Sequence, residues 1–426
     1  MPGSRESTPE NHPTHGVHFS DETIAGIIDC LAPQCKISSI TPLERGKSFN
    51  NRIYFVKIEV PEDLSFQGLN NGCVNELVLK LNGQFFDLSK SRNEVSCLSL
   101  LNTFVPEIPS PKVLAWSDTE GSILHRLTPQ GTVERKSFEF GDRSAKQHHD
   151  WILMTRVPGN ALSTLDLKSE ELKDIGRQLA DIVFTWRDAM PVWTTAGNLH
   201  CEVKADSEKP QVADSLDIAG LRVSTSTHMP IFGIDVLEPI TNYLQYFRLR
   251  LETRLQKLQK LDVFETNKDM APFIQEFVAT GLPQLGICAE ETRFLFTHND
   301  LSPRNLLIAG NPPRVTGIID FEFAGYFPEL DDFVNDAVHN EGDWPETLYA
   351  AYLDRLEERG MRTPRKDVSK RLWEEATTIF RIEKYMAPWW LENITAGGSG
   401  DGQLVEELSR SKKIVQEAIR LLQPTA

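Results

Sequence analysis

Two acidic residues and an asparagine stand at fixed offsets beside apolar, strand-like segments in the second half of the chain. The segment THNDLSPRNLLI contains Asp300 and Asn305, and Asp320 ends the apolar run VTGIID. A carboxylate is costly to bury in such surroundings unless a cation or hydrogen bonds compensate its charge. A strand, a loop and a second strand would bring the three side chains together at the loop ends, as a metal and phosphate site requires.

These side chains have the chemistry that phosphoryl transfer needs. Transfer from ATP requires one group that orients or deprotonates the acceptor hydroxyl, and oxygen ligands that hold magnesium on the phosphates. We predict that Asp300 faces the acceptor hydroxyl. Asn305 and Asp320 are predicted to bind Mg²⁺ through oxygen atoms, because this ion takes few protein ligands and keeps several waters.

A lysine on a predicted strand and a glutamate in the following helix are candidates for nucleotide binding. Lys80 alternates with apolar residues in NELVLKLN, and Glu94 follows fourteen residues later. An ion pair between them would direct the lysine at the α- and β-phosphates. Taken alone, a strand lysine followed by a helix glutamate is commoner as surface chemistry.

A turn between two predicted strands is a candidate phosphate-binding loop. In LERGKSFNNRIYFVKI it contains Gly46, Ser48, Asn50 and Asn51, which are small or polar and would let backbone amides approach phosphate. A single glycine is a weak signal for such a loop. The turn, the lysine, the glutamate and the later acidic motif follow one another in the order that a two-lobed kinase requires, and this order favours the joint interpretation.

The elements that must position these residues divide the chain into two lobes. Short β-type runs from about 39 to 116 are interrupted by one helix at about Ser91–Leu101. We therefore predict an α+β fold with a small β-rich, nucleotide-binding N-lobe over residues 18–155. A larger helical C-lobe over residues 156–426 would carry the catalytic loop and the acceptor site.

Three segments lack a helical or strand pattern. Residues 1–17 are rich in Pro, Ser, Glu and His and are expected to form a disordered leader. Residues 118–150 are interpreted as an insertion or long hairpin of the N-lobe, and residues 190–232 as a loop. In the C-lobe, helices are predicted at about 236–261, 346–358, 368–394 and 403–422.

Composition argues against several classes of function. The formal net charge of -16 disfavours nucleic acid as a partner, because phosphate backbones are bound by basic surfaces. We find no run of about 18 apolar residues that would span a bilayer and no apolar stretch typical of a secretory signal. The six cysteines are scattered without a Cys-x-x-Cys pair, which predicts free thiols. We therefore expect a cytoplasmic protein that binds no membrane.

The chain resembles the aminoglycoside phosphotransferase and choline kinase-like family, which has a protein-kinase-like fold, over about residues 38–393. The resemblance rests on FTHNDLSPRNLLIAGNPPRVTGIIDFEFAGYFPELDDF, WILMTRVPGNAL and VLKLN. It implies that Asp300 is the catalytic aspartate and that Asn305 and Asp320 are the magnesium ligands.

The same resemblance implies roles for residues around the nucleotide. Lys80 and Glu94 would form the nucleotide-positioning pair. Thr155, Arg156 and Val157 would lie on the hinge that receives adenine through backbone hydrogen bonds. His298 would brace the catalytic loop rather than take part in the chemistry.

Two interpretations stay open at several C-lobe positions. One of the aspartates in PELDDF, Asp331 or Asp332, would either anchor the catalytic region or start a helix in solvent. Trp389 and Trp390, beside Glu392, would either hold a cationic or ring-containing acceptor or pack in the core.

The chain also departs from a typical protein kinase. It has no G-x-G-x-x-G motif, and Asp320 is followed by FEFAGYFPELDDF rather than by Phe-Gly and an activation segment ending in Ala-Pro-Glu. These departures favour a small-molecule acceptor over a protein. Arg304, inside the catalytic loop, would either neutralise the transferred phosphoryl group or face solvent.

We therefore interpret the chain as an ATP- and Mg²⁺-dependent phosphotransferase that moves the γ-phosphoryl group to a hydroxyl of a small molecule. One alternative is a catalytically silent kinase-like binding or regulatory protein, which is disfavoured because Lys80, Glu94, Asp300 and Asp320 are all present. The other is a protein kinase, which is disfavoured because the activation segment is missing.

Overall fold

The chain folds into a β-rich N-lobe and a larger helical C-lobe, which confirms the predicted two-lobed α+β fold. A site formed between the lobes takes residues from both. The computed structural model describes residues 12–44, 46–62, 69, 72–118, 122–126, 133–138, 150–204, 214–218, 220–339, 341–392 and 401–423.

The N-lobe is built on a seven-stranded antiparallel sheet with strand order β1-β2-β3-β7-β4-β5-β6. Side chains on β3 alternate between its faces, so Leu77, Leu79 and Leu81 pack in a core with helix α1 (Asp21–Leu31). Lys80 therefore points to the opposite face. The strands are β1 Lys36–Pro42, β2 Asn51–Glu59, β3 Val74–Asn82, β4 Val113–Ser117, β5 Ile123–Arg126, β6 Val133–Lys136 and β7 Trp151–Thr155.

The described parts of two segments with weak patterns, residues 1–17 and 118–150, belong to the N-lobe. The 118–150 insertion contributes β5 and β6, a hairpin that extends the edge of the sheet. The end of the 1–17 leader is folded, because Val17 is buried and the Gln84 amide donates to Pro13 O at 2.8 Å. The first eleven residues of the leader lie outside the described residues.

The helix predicted at Ser91–Leu101 is α2, Leu88–Phe104. Asp87 caps its N-terminus by accepting a hydrogen bond from the Ser89 amide at 2.9 Å. Most of the helix is buried, including the polar residues Lys90, Asn93 and Glu94, because elements of both lobes pack around it. The buried polar side chains of α2 therefore need partners from neighbouring segments.

The C-lobe contains the predicted helices. The pattern at 346–358 matches its helix, the pattern at 236–261 begins later than predicted, and the pattern at 368–394 ends earlier as a helix. Its longer helices bury one apolar face each, as amphipathic surface helices do. The helices are α3 Ser169–Ala189, α4 Tyr243–Lys260, α5 Ala271–Glu276, α6 Asp331–Val334, α7 Glu346–Glu358, α8 Lys370–Met386 and α9 Asp401–Leu422.

The prediction of a loop at 190–232 is wrong. The segment contains a three-stranded antiparallel sheet, ordered β10-β11-β9, and half of a short hairpin. Leu199 on β9 and Leu221 and Val223 on β11 are fully buried. The strands form because these side chains pack in the core, where β9 contacts α2. They are β9 Leu199–Val203, β10 Ser215–Ile218, β11 Leu221–Thr225, β12 His228–Met229 and β13 Ile234–Asp235.

Short strands carry the acidic motifs in the C-lobe. The predicted catalytic loop joins β14 to β15, and Asp320 follows β16, so the predicted strand, loop and strand arrangement is present. The strands are β8 Asn160–Ala161, β14 Phe294–Thr297, β15 Leu306–Ala309, β16 Arg314–Ile318 and β17 Gly325–Pro328.

Two further expectations concern the whole chain. All six cysteines are free thiols. Among the described residues, the helices are either too short or too polar to cross a membrane.

A substitution at Gly176 would test the close packing of α3 on α7. A Cβ atom at this position would lie 2.6 Å from Leu348 O and 3.1 Å from Tyr352 N. Gly176→Ala should push the helices apart and destabilise the protein by about 1 to 3 kcal/mol, measured as a lower midpoint of thermal unfolding. Gly402→Ala on α9 is the control, because its Cβ would meet no atom within 4 Å. Equal midpoints for the two variants would contradict this packing.

Candidate active site

The catalytic loop is held in shape by His298 and Asn305. His298 is buried, its Nε2 lies 3.0 Å from Ile319 O, and its Nδ1 accepts from the Asp300 amide at 3.3 Å. Burial lowers the pKa of His298, so the ring is neutral with its proton on Nε2. Asn305 Nδ2 donates to Asp300 O at 2.8 Å and to Asp300 Oδ2 at 3.0 Å. These contacts match the expected bracing by His298.

Arg304 contacts the predicted catalytic aspartate. Its Nη2 lies 2.5 Å from Asp300 Oδ1, and its Nη1 lies 2.7 Å from Asp343 Oδ2. Burial raises the pKa of Asp300 to about 7, although Arg304 opposes this effect. The Arg304 side chain is 49% exposed, so it faces solvent while it pairs with both carboxylates.

Lys80 joins the N-lobe to the end of β16. Its Nζ lies 2.8 Å from Glu94 Oε2, which is the predicted ion pair, and 2.6 Å from Asp320 Oδ1. It also lies 2.8 Å from Glu322 Oε2. Burial alone would lower the pKa of Lys80, but the three carboxylates hold it well above its usual value. The lysine is therefore charged and lies among acids.

Asp320 adopts an unusual backbone conformation, with φ 71° and ψ 53°. Asn299, next to Asp300, also has a positive φ of 62°. Non-glycine residues in the left-handed region carry strain that persists only where the surroundings enforce it, and such residues cluster at functional sites. Two of the four described non-glycine residues with a positive φ thus lie in or next to the acidic motifs.

Glu322 is a member of the site that sequence reasoning missed. It is buried, and its carboxylate accepts from Asn50 Nδ2 at 2.9 Å and from Asn51 Nδ2 at 2.7 Å. Lys90 lies 3.1 Å from the same carboxylate. Burial alone would raise the pKa of Glu322, but Lys80 and Lys90 hold it below its usual range. A signal was present, because an acid in the apolar run IIDFEF needs buried partners.

The predicted phosphate turn lies against this cluster. Gly46 has a positive φ of 81°, and no atom lies within 4 Å of where its Cβ would be, so backbone conformation rather than crowding favours glycine there. Ser48 is partly exposed. The side chain of Asn50 is bonded to Glu322, and the Asn50 carbonyl accepts from the Gly83 amide at 2.9 Å.

The predicted adenine hinge follows β7. The Thr155 amide donates to Lys112 O at 3.0 Å, and the Arg156 amide donates to Glu76 O at 2.9 Å, so both amides are used within the sheet. Within the described part of the chain, the Val157 amide has no backbone partner. Of the amides at the hinge, the Val157 amide is therefore the candidate for a hydrogen bond to a base.

Both aspartates of PELDDF are buried, so the interpretation as solvated helix-start acids is wrong. Asp332 Oδ2 accepts from Arg187 Nη2 at 2.8 Å, and Asp332 Oδ1 accepts from the Asn299 amide at 3.3 Å. Asp331 Oδ2 accepts from Tyr246 and lies 3.2 Å from Arg250 Nη1. Asp332 thus anchors the catalytic loop directly.

The tryptophans of APWWLEN differ in their surroundings. Trp389 is half exposed, and its ring centroid lies 5.8 Å from that of Phe49 in the N-lobe turn. Trp390 packs edge-on against Tyr385. Glu392, beside the tryptophans, is paired with two cations of α4, Arg254 at 3.2 Å and Lys257 at 2.9 Å.

The profile of the phosphotransferase enzyme family matches residues 68–366, a range that holds Lys80, Glu94, the hinge and both acidic motifs but neither the turn nor APWWLEN. The chain belongs to this family. The phosphotransferase shares its fold with aminoglycoside phosphotransferase APH(2'')-Ib bound to ADP, at 13% identity, 94% coverage of this chain, 99% of that chain and a TM-score of 0.51. The streptomycin-ATP-APH(2'')-IIa complex gives 12% identity, the same coverages and a TM-score of 0.51. A comparison with curated proteins yields no match.

The donor set of the phosphotransferase suits a magnesium ion. The side-chain nitrogen Nδ2 of Asn305 is bonded to Asp300, so the side-chain oxygen Oδ1 of Asn305 is the atom left to act as a ligand. The Asp320 side chain is one-third exposed, and only its Oδ1 contacts Lys80. One carboxylate and one amide oxygen, completed by phosphate and water, are the hard ligands that Mg²⁺ takes.

The Arg187–Asp332 pair gives a test of the anchor. Asp332→Asn should destabilise the phosphotransferase by about 3 to 5 kcal/mol, because it leaves a buried guanidinium without its counter-charge. The double variant Arg187→Met with Asp332→Asn removes both charges and should regain part of this loss. Chemical denaturation of the three proteins measures the difference. A double variant less stable than the Asp332→Asn protein would contradict the pairing.

Proposed function

We propose that this phosphotransferase moves the γ-phosphoryl group of ATP to a hydroxyl of a small molecule with the help of Mg²⁺. The observation that carries the proposal is a chain of contacts: Asn305 bonds Asp300, the Ile319 amide beside Asp320 donates to Asn305 O at 3.0 Å, and Lys80 pairs with Asp320 and Glu94. Phosphoryl transfer needs positioning and charge stabilisation rather than covalent chemistry, and these side chains supply both.

The nucleotide would bind between the lobes. Adenine would receive a hydrogen bond from the Val157 amide, while the Thr155 carbonyl, on the same strand end, would accept from the base. Lys80 would contact the α- and β-phosphates while Glu94 keeps it in place. The turn with Gly46 and Ser48 would cover the phosphates.

Asn305 and Asp320 would hold the metal. When bound, Mg²⁺ neutralises the charge that builds up on the β- and γ-phosphates. Asp320 is positioned for this role by its left-handed backbone and by Lys80, and Asn305 by its bonds to Asp300.

Asp300 would orient the acceptor hydroxyl and take its proton as the phosphoryl group leaves ATP. The Asn305 amide and the Arg304 guanidinium contact its carboxylate and fix its direction. Arg304 also brings a positive charge beside the attacking oxygen, where it would stabilise the transferred group. The transfer is in-line and needs no covalent enzyme intermediate.

The acceptor is proposed to be a small molecule rather than a protein. The residues after Asp320 lead directly into β17 and α6. This stretch is fully described and contains no segment long enough to be an activation segment. The fold relatives named above bind a nucleotide or a nucleotide with streptomycin, and they support a small acceptor in the same cleft. An ATP-consumption screen with amino alcohols, aminoglycosides, hydroxylated natural products and a protein panel tests the proposal. Phosphate transfer to proteins alone would overturn it.

Asp300→Asn should lower turnover by about 10² to 10⁴, the usual effect of losing a general base. The affinity for ATP should change little, because Asp300 faces the acceptor. Steady-state kinetics and nucleotide titration of the same protein separate the two effects. Turnover equal to that of the wild type would refute the role of Asp300.

Asp320→Asn should instead abolish the magnesium-dependent part of nucleotide binding, since the variant loses a charged metal ligand. A thermal shift with ATP, recorded with and without Mg²⁺, measures this part. The Asp300→Asn protein is the matched control, because it changes a neighbouring carboxylate of the same loop cluster. An Asp320→Asn protein that still gains stability from Mg²⁺ with ATP would contradict the assignment.

A further inference from the structure

Glu322 is the point at which three N-lobe segments meet the C-lobe. Lys80 comes from β3, Lys90 from α2, and Asn50 and Asn51 from the turn and the start of β2. All four direct a nitrogen atom at its carboxylate, at 2.8, 3.1, 2.9 and 2.7 Å. The side chain of Glu322 is only 2% exposed, so solvent hardly weakens these interactions.

The asparagine amides are oriented by the cluster itself. Lys90 Nζ donates to Asn51 Oδ1 at 2.7 Å, so the amide nitrogen of Asn51 must face Glu322. Asn50 Nδ2 contacts Oε1 of Glu322, and Asn51 Nδ2 contacts Oε2. Each carboxylate oxygen therefore binds one residue of the turn.

The backbone of Glu322 is fixed from the other side. Asn93 Nδ2 donates to Glu322 O at 2.9 Å and to Ala324 O at 3.0 Å. Asn198 Nδ2 donates to Phe323 O at 3.1 Å and to Ala324 O at 3.0 Å. The carboxylate is thus a rigid support for the turn rather than a mobile side chain.

The geometry points to Glu322 as a positioning residue that holds the phosphate turn closed through Asn50 and Asn51. This inference rests on the proposed function, in which the turn covers the phosphates. The turn has one glycine and no glycine-rich motif, so tertiary hydrogen bonds set its position. A turn that is already held in its binding position binds nucleotide more tightly than a mobile turn, because the turn does not lose conformational freedom on binding.

Glu322 is not assigned as a metal ligand. Its Oε2 has nitrogen atoms of Asn51, Lys80 and Lys90 within 3.1 Å, so a cation there would have to displace two ammonium groups. The two roles predict different results for magnesium, and this difference makes the inference testable.

The test compares Asn50→Ala, Asn51→Ala and Glu322→Gln with the wild type by titrating ATP at several Mg²⁺ concentrations. Each variant should bind ATP about tenfold more weakly, equivalent to about 1.4 kcal/mol. The Mg²⁺ concentration for half-saturation should stay unchanged. Hydrogen exchange of the turn amides without nucleotide should be faster than in the wild type, whatever reaction the protein catalyses.

A charge-swapped pair gives a rescue that a merely structural role would not produce. Asn50→Asp alone places two carboxylates together and should weaken ATP binding further. Combined with Glu322→Gln, it restores both the net charge and a donor-acceptor contact, and binding should recover towards the wild-type value. Asn267→Ala controls for the loss of a buried asparagine, since Asn267 bonds only Leu408 O in the C-lobe among described residues. It should leave ATP binding unchanged.

Three outcomes would overturn the inference. ATP binding and hydrogen exchange equal to the wild type in both alanine variants would show that the turn does not depend on Glu322. A higher Mg²⁺ requirement in Glu322→Gln alone would identify a metal ligand instead. A wild-type protein that binds no nucleotide would overturn the proposed function together with the inference, whereas the first two outcomes leave the proposed function standing.

Discussion

One buried cation, Lys80, makes the cleft possible. Its ammonium group lies within 2.8 Å of Glu94, Asp320 and Glu322, which would repel one another in its absence. Charges interact more strongly in a buried site than in water, and unpaired buried charges are strongly destabilising. Glu94 comes from α2 in the N-lobe, whereas Asp320 and Glu322 come from the segment after β16 in the C-lobe. The ion pairs of the Lys80 ammonium group therefore hold the two lobes together.

The surrounding elements complete this balance. Lys90 supplies a second positive charge, and Asn93 and Asn198 bind backbone carbonyls of the segment that carries Asp320. On the C-lobe side, Asp332 holds the catalytic loop through the Asn299 amide. Buried polar networks specify one arrangement when every member is satisfied, and this one aligns the two acidic motifs.

Contacts between residues that lie close together in the sequence could be predicted from the sequence alone. Asp300, Asn305 and Asp320 lie at loop ends between apolar strands, so their convergence could be predicted, as could the strand and helix that bring Lys80 to Glu94. Glu322 could not be placed in the same way, because its asparagine partners lie 271 and 272 residues away. The sheet of β9 to β11 was missed because its strands have four or five residues and gain stability mainly from packing.

The position of that sheet bears on how the enzyme would be controlled. Strand β9 packs on α2, and the Leu199 amide donates to Asn93 Oδ1 at 2.6 Å, one residue before Glu94. In kinases that are switched on and off, the helix carrying this glutamate swings in and out. Here β9 packs on α2, so movement of α2 away from β9 would break the hydrogen bond between Leu199 and Asn93 and expose apolar surface. We therefore expect α2 to hold Glu94 in one position.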